Sequence, residues 1–115
     1  MSTLKVNTIQ NTSGVEVYTA KAWVNFNGTG TVAIRAAGNV SSITDVGTGY
    51  YTVNFTNAMS DASYSAYATA ASGGSGKLAF GYSGVAPTSS TFTFQTTSFA
   101  GSNEDQTYVA IAIFR

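Results

Sequence analysis

Ala20-Lys21-Ala22-Trp23-Val24-Asn25-Phe26, followed by Asn27-Gly28-Thr29-Gly30, decides the fold class of this chain. Ala20, Ala22, Val24 and Phe26 fall on one side of an extended backbone, and Lys21, Trp23 and Asn25 fall on the other. A period of two marks a strand with one buried face, whereas a helix would repeat its apolar residues every three or four positions. Asn27-Gly28 then reads as a tight hairpin turn, because both residue types tolerate the positive φ angles such a turn requires.

The same rhythm continues in both directions. Val32 and Ile34 alternate, with Arg35 opposite, before Ala37-Gly38-Asn39 turns the chain. Val40 and Ile43 precede the Gly47-Thr48-Gly49 break, and Tyr51, Val53 and Phe55 then share a face. So do Tyr64, Ala66 and Ala68, then Leu78, Phe80 and Tyr82, then Phe92 and Phe94. These runs predict about seven or eight short strands, the pattern of a sandwich or jelly roll. The expectation is one all-β domain, an antiparallel β-sandwich of jelly-roll type spanning residues 15–115. Residues 1–14 precede it as a short attachment segment, in which Leu4, Val6 and Ile9 lead to Asn11-Thr12-Ser13-Gly14.

The segment Thr107 to Phe114 departs from simple alternation. Val109, Ile111 and Ile113 line one face, and Tyr108, Ala110, Ala112 and Phe114 line the other. A strand that is apolar on both sides belongs in the middle of a sheet, covered by a second layer or by a neighbouring subunit. Val109, Ile111 and Ile113 are therefore candidate subunit contacts. Trp23 joins them, since it lies opposite the apolar face of its strand. It is either an interface anchor, the favoured reading, or a platform displayed for sugar stacking.

Composition narrows the partners. Only 9% of the 115 residues are charged, five basic against five acidic, and the formal net charge is zero. No field is available to gather nucleic acid or anionic lipid, so neither is an expected partner. Zero net charge also removes a defence against self-association, which controlled oligomerisation would answer. No apolar run is long enough for a signal peptide or a membrane span, so soluble synthesis in the cytoplasm is expected, without membrane insertion.

The chain has no histidine and no cysteine. That removes the commonest general base, the commonest nitrogen metal ligand and all thiol chemistry. No catalytic residue, metal or cofactor is expected. A carboxylate pair acting on glycosides would have to come from Glu16, Asp45, Asp61, Glu104 and Asp105. Glu104 and Asp105 read better as a solvated loop, and Asp45 and Asp61 as turn residues capping local amides. The glycine clusters lack the following helix that a phosphate cradle needs. Two polar loops remain as candidate binding surfaces: Gly73, Gly74, Ser75 and Gly76, too flexible to continue a strand, and Asn103, Glu104 and Asp105.

Lys21 to Arg35, its continuation Gly38 to Asp45, and Gly49-Tyr50-Tyr51-Thr52-Val53-Asn54-Phe55 resemble a recurrent module of tail-fibre-like proteins of tailed, often marine, bacteriophages. The lead Thr3 to Gly14 is similar to segments that open such fibres. Val46 and Tyr50 depart from the pattern, which often carries an acid or amide at the first position and aspartate at the second. The resemblance implies a homotrimeric virion protein, a tail fibre or appendage tip that contacts other virion proteins and binds host-surface polysaccharide without turnover. The rival expectations are a capsid decoration protein and, behind it, an interface-located glycan depolymerase.

Overall fold

A computed structural model describes residues 3, 5–16, 18–72, 75–81 and 84–115, with the side chains of residues 75, 76 and 80 left aside. Among the described residues there are nine strands and no helix: β1 (Ala22–Asn27), β2 (Ala33–Gly38), β3 (Val40–Gly47), β4 (Tyr50–Phe55), β5 (Ser65–Ser72), β6 (Ser75–Gly76), β7 (Leu78–Gly81), β8 (Thr91–Thr97) and β9 (Tyr108–Phe114). They form two wholly antiparallel sheets. One has the order β2-β1-β9-β5-β6, where β6 contributes only two residues, and the other has the order β3-β4-β8-β7.

Successive hairpins alternate between the sheets. The pair β1–β2 belongs to the first, β3–β4 to the second, β5–β6 to the first and β7–β8 to the second; β9 then returns between β1 and β5. Asn39 makes the first crossing at φ 55°, a left-handed conformation that asparagine tolerates better than most residues. Its amide nitrogen donates to the carbonyls of Lys21 and Asn57, and its amide oxygen accepts from the Asn57 N–H. One side chain thus ties three separate segments.

The core lies between the sheets. Ala22, Val24 and Phe26 of β1, with Val109, Ile111 and Ile113 of β9, meet Tyr51, Val53 and Phe55 of β4 and Phe94 of β8. Phe26 packs edge-on against Tyr51 and Phe94, with ring centroids 5.2 and 6.1 Å apart. Such offsets set the negative face of one ring against the positive rim of another.

Several expectations change. The returning strand begins at Ala33 rather than Val32, and a bulge places Arg35 out of register, since Asn25 pairs with Ala36 and Phe26 with Ile34. As an edge strand without a facing layer, β2 is exposed nearly throughout, Ile34 included. Of the stretch expected to be too flexible for a strand, Ser75 and Gly76 are paired, with Ser72 and Ala71. Gly73, Gly74, Tyr82 and Leu4 lie outside the described residues.

The lead is a small hairpin of its own. Gln10 bridges Glu16 across a turn in which the Asn11 side-chain oxygen accepts from the N–H groups of Ser13 and Val15. It stands at the pole where β1 begins and β9 ends. The loops after β1, β3 and β8 meet at the opposite pole, through Gly28, Gly49 and Asp105.

Candidate functional site

Strand register decides what each sheet shows to the outside. On the five-stranded sheet, Trp23 pairs with Ala112 and Ala112 with Tyr67, while Asn25 pairs with Ala110 and Ala110 with Thr69. Alternation then puts Trp23, Tyr67, Tyr108, Ala110, Ala112 and Phe114 on one outward surface, with Asn25, Ser65 and Thr69 among them. Tyr67 and Phe114 meet edge to face at 6.1 Å, and the Arg35 guanidinium lies 4.5 Å above the Tyr108 ring. Arg35 also donates to the Asn25 side chain and the Thr107 carbonyl, which fixes it over that ring. Trp23 is 44% exposed and lies across Gly38, where even a methyl group would collide with the indole. Nothing from this chain's other sheet can cover this face.

The outer face of the four-stranded sheet is its opposite in chemistry. Thr44, Thr52 and Thr93 stand in register across three strands, as do Ser42, Asn54 and Thr91. Thr52 and Thr93 share a hydroxyl–hydroxyl hydrogen bond of 2.8 Å, and Asn54 donates to the hydroxyls of Ser42 and Thr44. This uncharged ladder is already satisfied internally and suits water.

The candidate interface residues are therefore divided. Trp23 is on the outward apolar face, but Val109, Ile111 and Ile113 point into the chain's own core at 1, 3 and 0% exposure. They have no surface left for a neighbour, so the subunit contact expected of them is ruled out by their burial in the chain's own core. Sequence showed that both sides of β9 are apolar; only the position of the second sheet decides which side is inside.

Residues flanking the first candidate loop meet the second at the pole away from the lead. Lys77, just beyond β6, reaches Glu104 at 3.1 Å, and Ser72 and Thr107 share a hydroxyl contact of 3.2 Å. Asn103 is exposed and donates to the Tyr50 hydroxyl. Glu104 and Asp105 are half-buried instead of forming the solvated loop expected of them. Asp105 accepts from the Gly49 N–H and the Tyr51 hydroxyl, each at 2.8 Å, and the same hydroxyl lies 3.0 Å from the Gly28 carbonyl. Asp105 thereby joins three loops at this pole. Burial, and then the hydrogen bond to the Asp105 carboxylate, hold the Tyr51 phenol well above its usual range.

Two further acids, Glu104 and Asp61, are engaged as well. Hydrogen bonds from Lys77 and Gln106 hold the Glu104 carboxyl below its ordinary range. Arg115 forks onto Asp61 with bonds of 2.9 and 2.8 Å, and the Asp61 carboxyl falls to about 2, chiefly through this bond and secondly through the Ser63 N–H. Asp61 thus caps a local amide, as its sequence setting suggested, and binds a partner fifty-odd residues away that sequence did not indicate. Among the described residues, no group of three or more acids, histidines or cysteines converges to hold a metal. Gln106, fully buried, donates to Glu104, while its side-chain oxygen has no partner among the described residues.

Architecture and surfaces define a two-sheet antiparallel β protein with one apolar and one polar outer face. No protein-family model, curated protein or solved structure matches the chain.

Proposed function

We propose that this chain is a self-assembling, non-catalytic structural module, a jelly-roll-like homotrimer serving as the tip of a phage tail fibre or similar virion appendage. The observation that carries the assembly is the inequality of the two outer faces. A face bearing Trp23, Tyr67, Tyr108 and Phe114 gains stability when covered, while the hydroxyl ladder opposite needs no cover. The low charge of the chain limits repulsion between like surfaces, and Arg35, the cation on this face, is held over the Tyr108 ring.

The jelly-roll reading rests on hairpins that alternate between sheets, with β9 closing the chain between β1 and β5. The non-catalytic reading is supported by the structural engagement of Asp61, Glu104 and Asp105. The virion setting rests on the resemblance of Lys21 to Asp45 alone. A lead at one pole and clustered loops at the other suit a module attached by one end that offers loop hydroxyls and amides to polysaccharide, with affinity raised by avidity among three copies.

Light scattering on the purified chain tests the assembly: a mass near three times the 11.9 kDa of one chain is expected, and a mass near one chain overturns it. Labelled antibody on particles tests the setting. Signal at the tail tip is expected, and signal spread over the capsid would transfer the chain to the decoration proteins.

A further inference from the structure

Among the described residues, the apolar side chains of the lead hairpin are not buried against the body. Val6, Ile9, Val15 and Tyr18 are each at least half exposed, although isolated two-stranded hairpins are marginal in water. Between the hairpin and the sheet lies a half-open gap of about 610 Å³. Val6, Ile9 and Tyr18 form one wall, and Tyr67 and Phe114 form the other. Apolar and aromatic side chains thus stand on both sides of a space whose lining is otherwise polar, Glu16, Lys21 and Arg115 included.

The hairpin also stretches the molecule. Its extents are 46 × 28 × 28 Å and its radius of gyration is 15.5 Å, against roughly 13 Å for a compact chain of this length. An arm with apolar residues that projects at the edge of an apolar face is continuous with that face.

Resting on the self-assembly proposed above, we infer that the lead hairpin is a second intersubunit element, and that this gap is filled by a second copy of the chain. Size favours this occupant. Four strands at about 4.8 Å spacing and seven residues at about 3.3 Å each give the sheet face roughly 440 Å² in projection, well under the ~800 Å² each partner gives a standard interface. The sheet face alone is too small, and the apolar residues of the hairpin extend it. In a threefold assembly, hairpins beside Tyr67 and Phe114 converge on the axis those rings face.

Absence of native cysteine allows a clean test. Ile9→Cys and, separately, Val15→Cys are introduced into the full chain and treated with a short trivalent maleimide, with Thr44→Cys on the polar face as control. All three positions are exposed or partly exposed and outside the core, so folding is preserved. Covalent trimer is expected from the two lead variants, with a yield independent of protein dilution, and none from the control. Trimeric mass by light scattering with no covalent trimer from either lead variant overturns the role of the hairpin while leaving assembly intact. A monomeric mass overturns both.

Discussion

Tyr51→Phe removes one oxygen from the centre of the molecule and leaves the packing in place. The ring keeps its neighbours Phe26 and Phe94, at 5.2 and 5.7 Å between centroids. The hydroxyl that disappears lies 2.8 Å from the Asp105 carboxylate and 3.0 Å from the Gly28 carbonyl. It carries a single proton, so only one strong bond is lost, and that bond goes to a charged acceptor. Such a bond contributes about 1.5–3 kcal/mol net, and the Gly49 N–H still serves Asp105, so a loss of about 2 kcal/mol is expected. At roughly 4 °C per kcal/mol, the melting temperature falls by about 8 °C, measured at equal protomer concentration.

The alkaline limb supplies a second readout. The folded Tyr51 phenol titrates above the unfolded one, so the folded state binds more protons there once pH exceeds about 10. Its stabilisation is complete below that pH and declines as pH rises, by up to about 1.4 kcal/mol per pH unit. The phenylalanine variant loses that share of the slope and keeps the share of Tyr64, whose phenol burial also raises. A variant within about 0.5 kcal/mol of the parent, with an unchanged alkaline slope, would refute the role given to this hydroxyl.

Gly49→Ala should destabilise by more than the ~1–2 kcal/mol of a left-handed non-glycine residue, because φ is 72° and the new methyl would sit 2.5 Å from the Thr96 carbonyl oxygen; urea unfolding checks it. Ile111→Ala should cost about 2–5 kcal/mol by opening a cavity between the sheets, whereas Ala110→Ser one residue away should leave monomer stability nearly unchanged. Arg115→Ala should return the Asp61 carboxyl from about 2 towards its ordinary value, seen by NMR titration. Because the folded carboxyl is the more acidic one, the stabilisation from this pair is present above about pH 4 and fades as pH falls towards 2. An unchanged Asp61 titration in the Arg115 variant would show that the fork does not persist in solution.

Much of this fold was legible in the sequence because strand alternation is local. Ala22, Val24 and Phe26, then Tyr51, Val53 and Phe55, could be assigned to shared faces by counting in twos, and each set is in the core. Arg35 lies on the face opposite Ile34, as alternation requires, over the outward Tyr108 ring, although a bulge leaves it without a paired residue on β1. The engaged acids were not legible in this way. Asp105 meets Tyr51 and Gly49 from more than fifty positions away, and no spacing rule links residues joined only by chain crossings.

By itself, the sequence determined an all-β domain, a central doubly apolar strand, and a chain without histidine, cysteine or net charge. Those properties depend on residue type and on a period that holds within each strand. Tertiary structure decided which side of β9 faces inward, since Val109, Ile111 and Ile113 can be sorted from Tyr108 and Phe114 only by the place of the second sheet. It also decided that one outer face is aromatic and the other a hydroxyl ladder. Each face collects residues from strands distant in the chain, and pairing between strands, rather than order along them, puts Trp23 beside Ala112 and Tyr67.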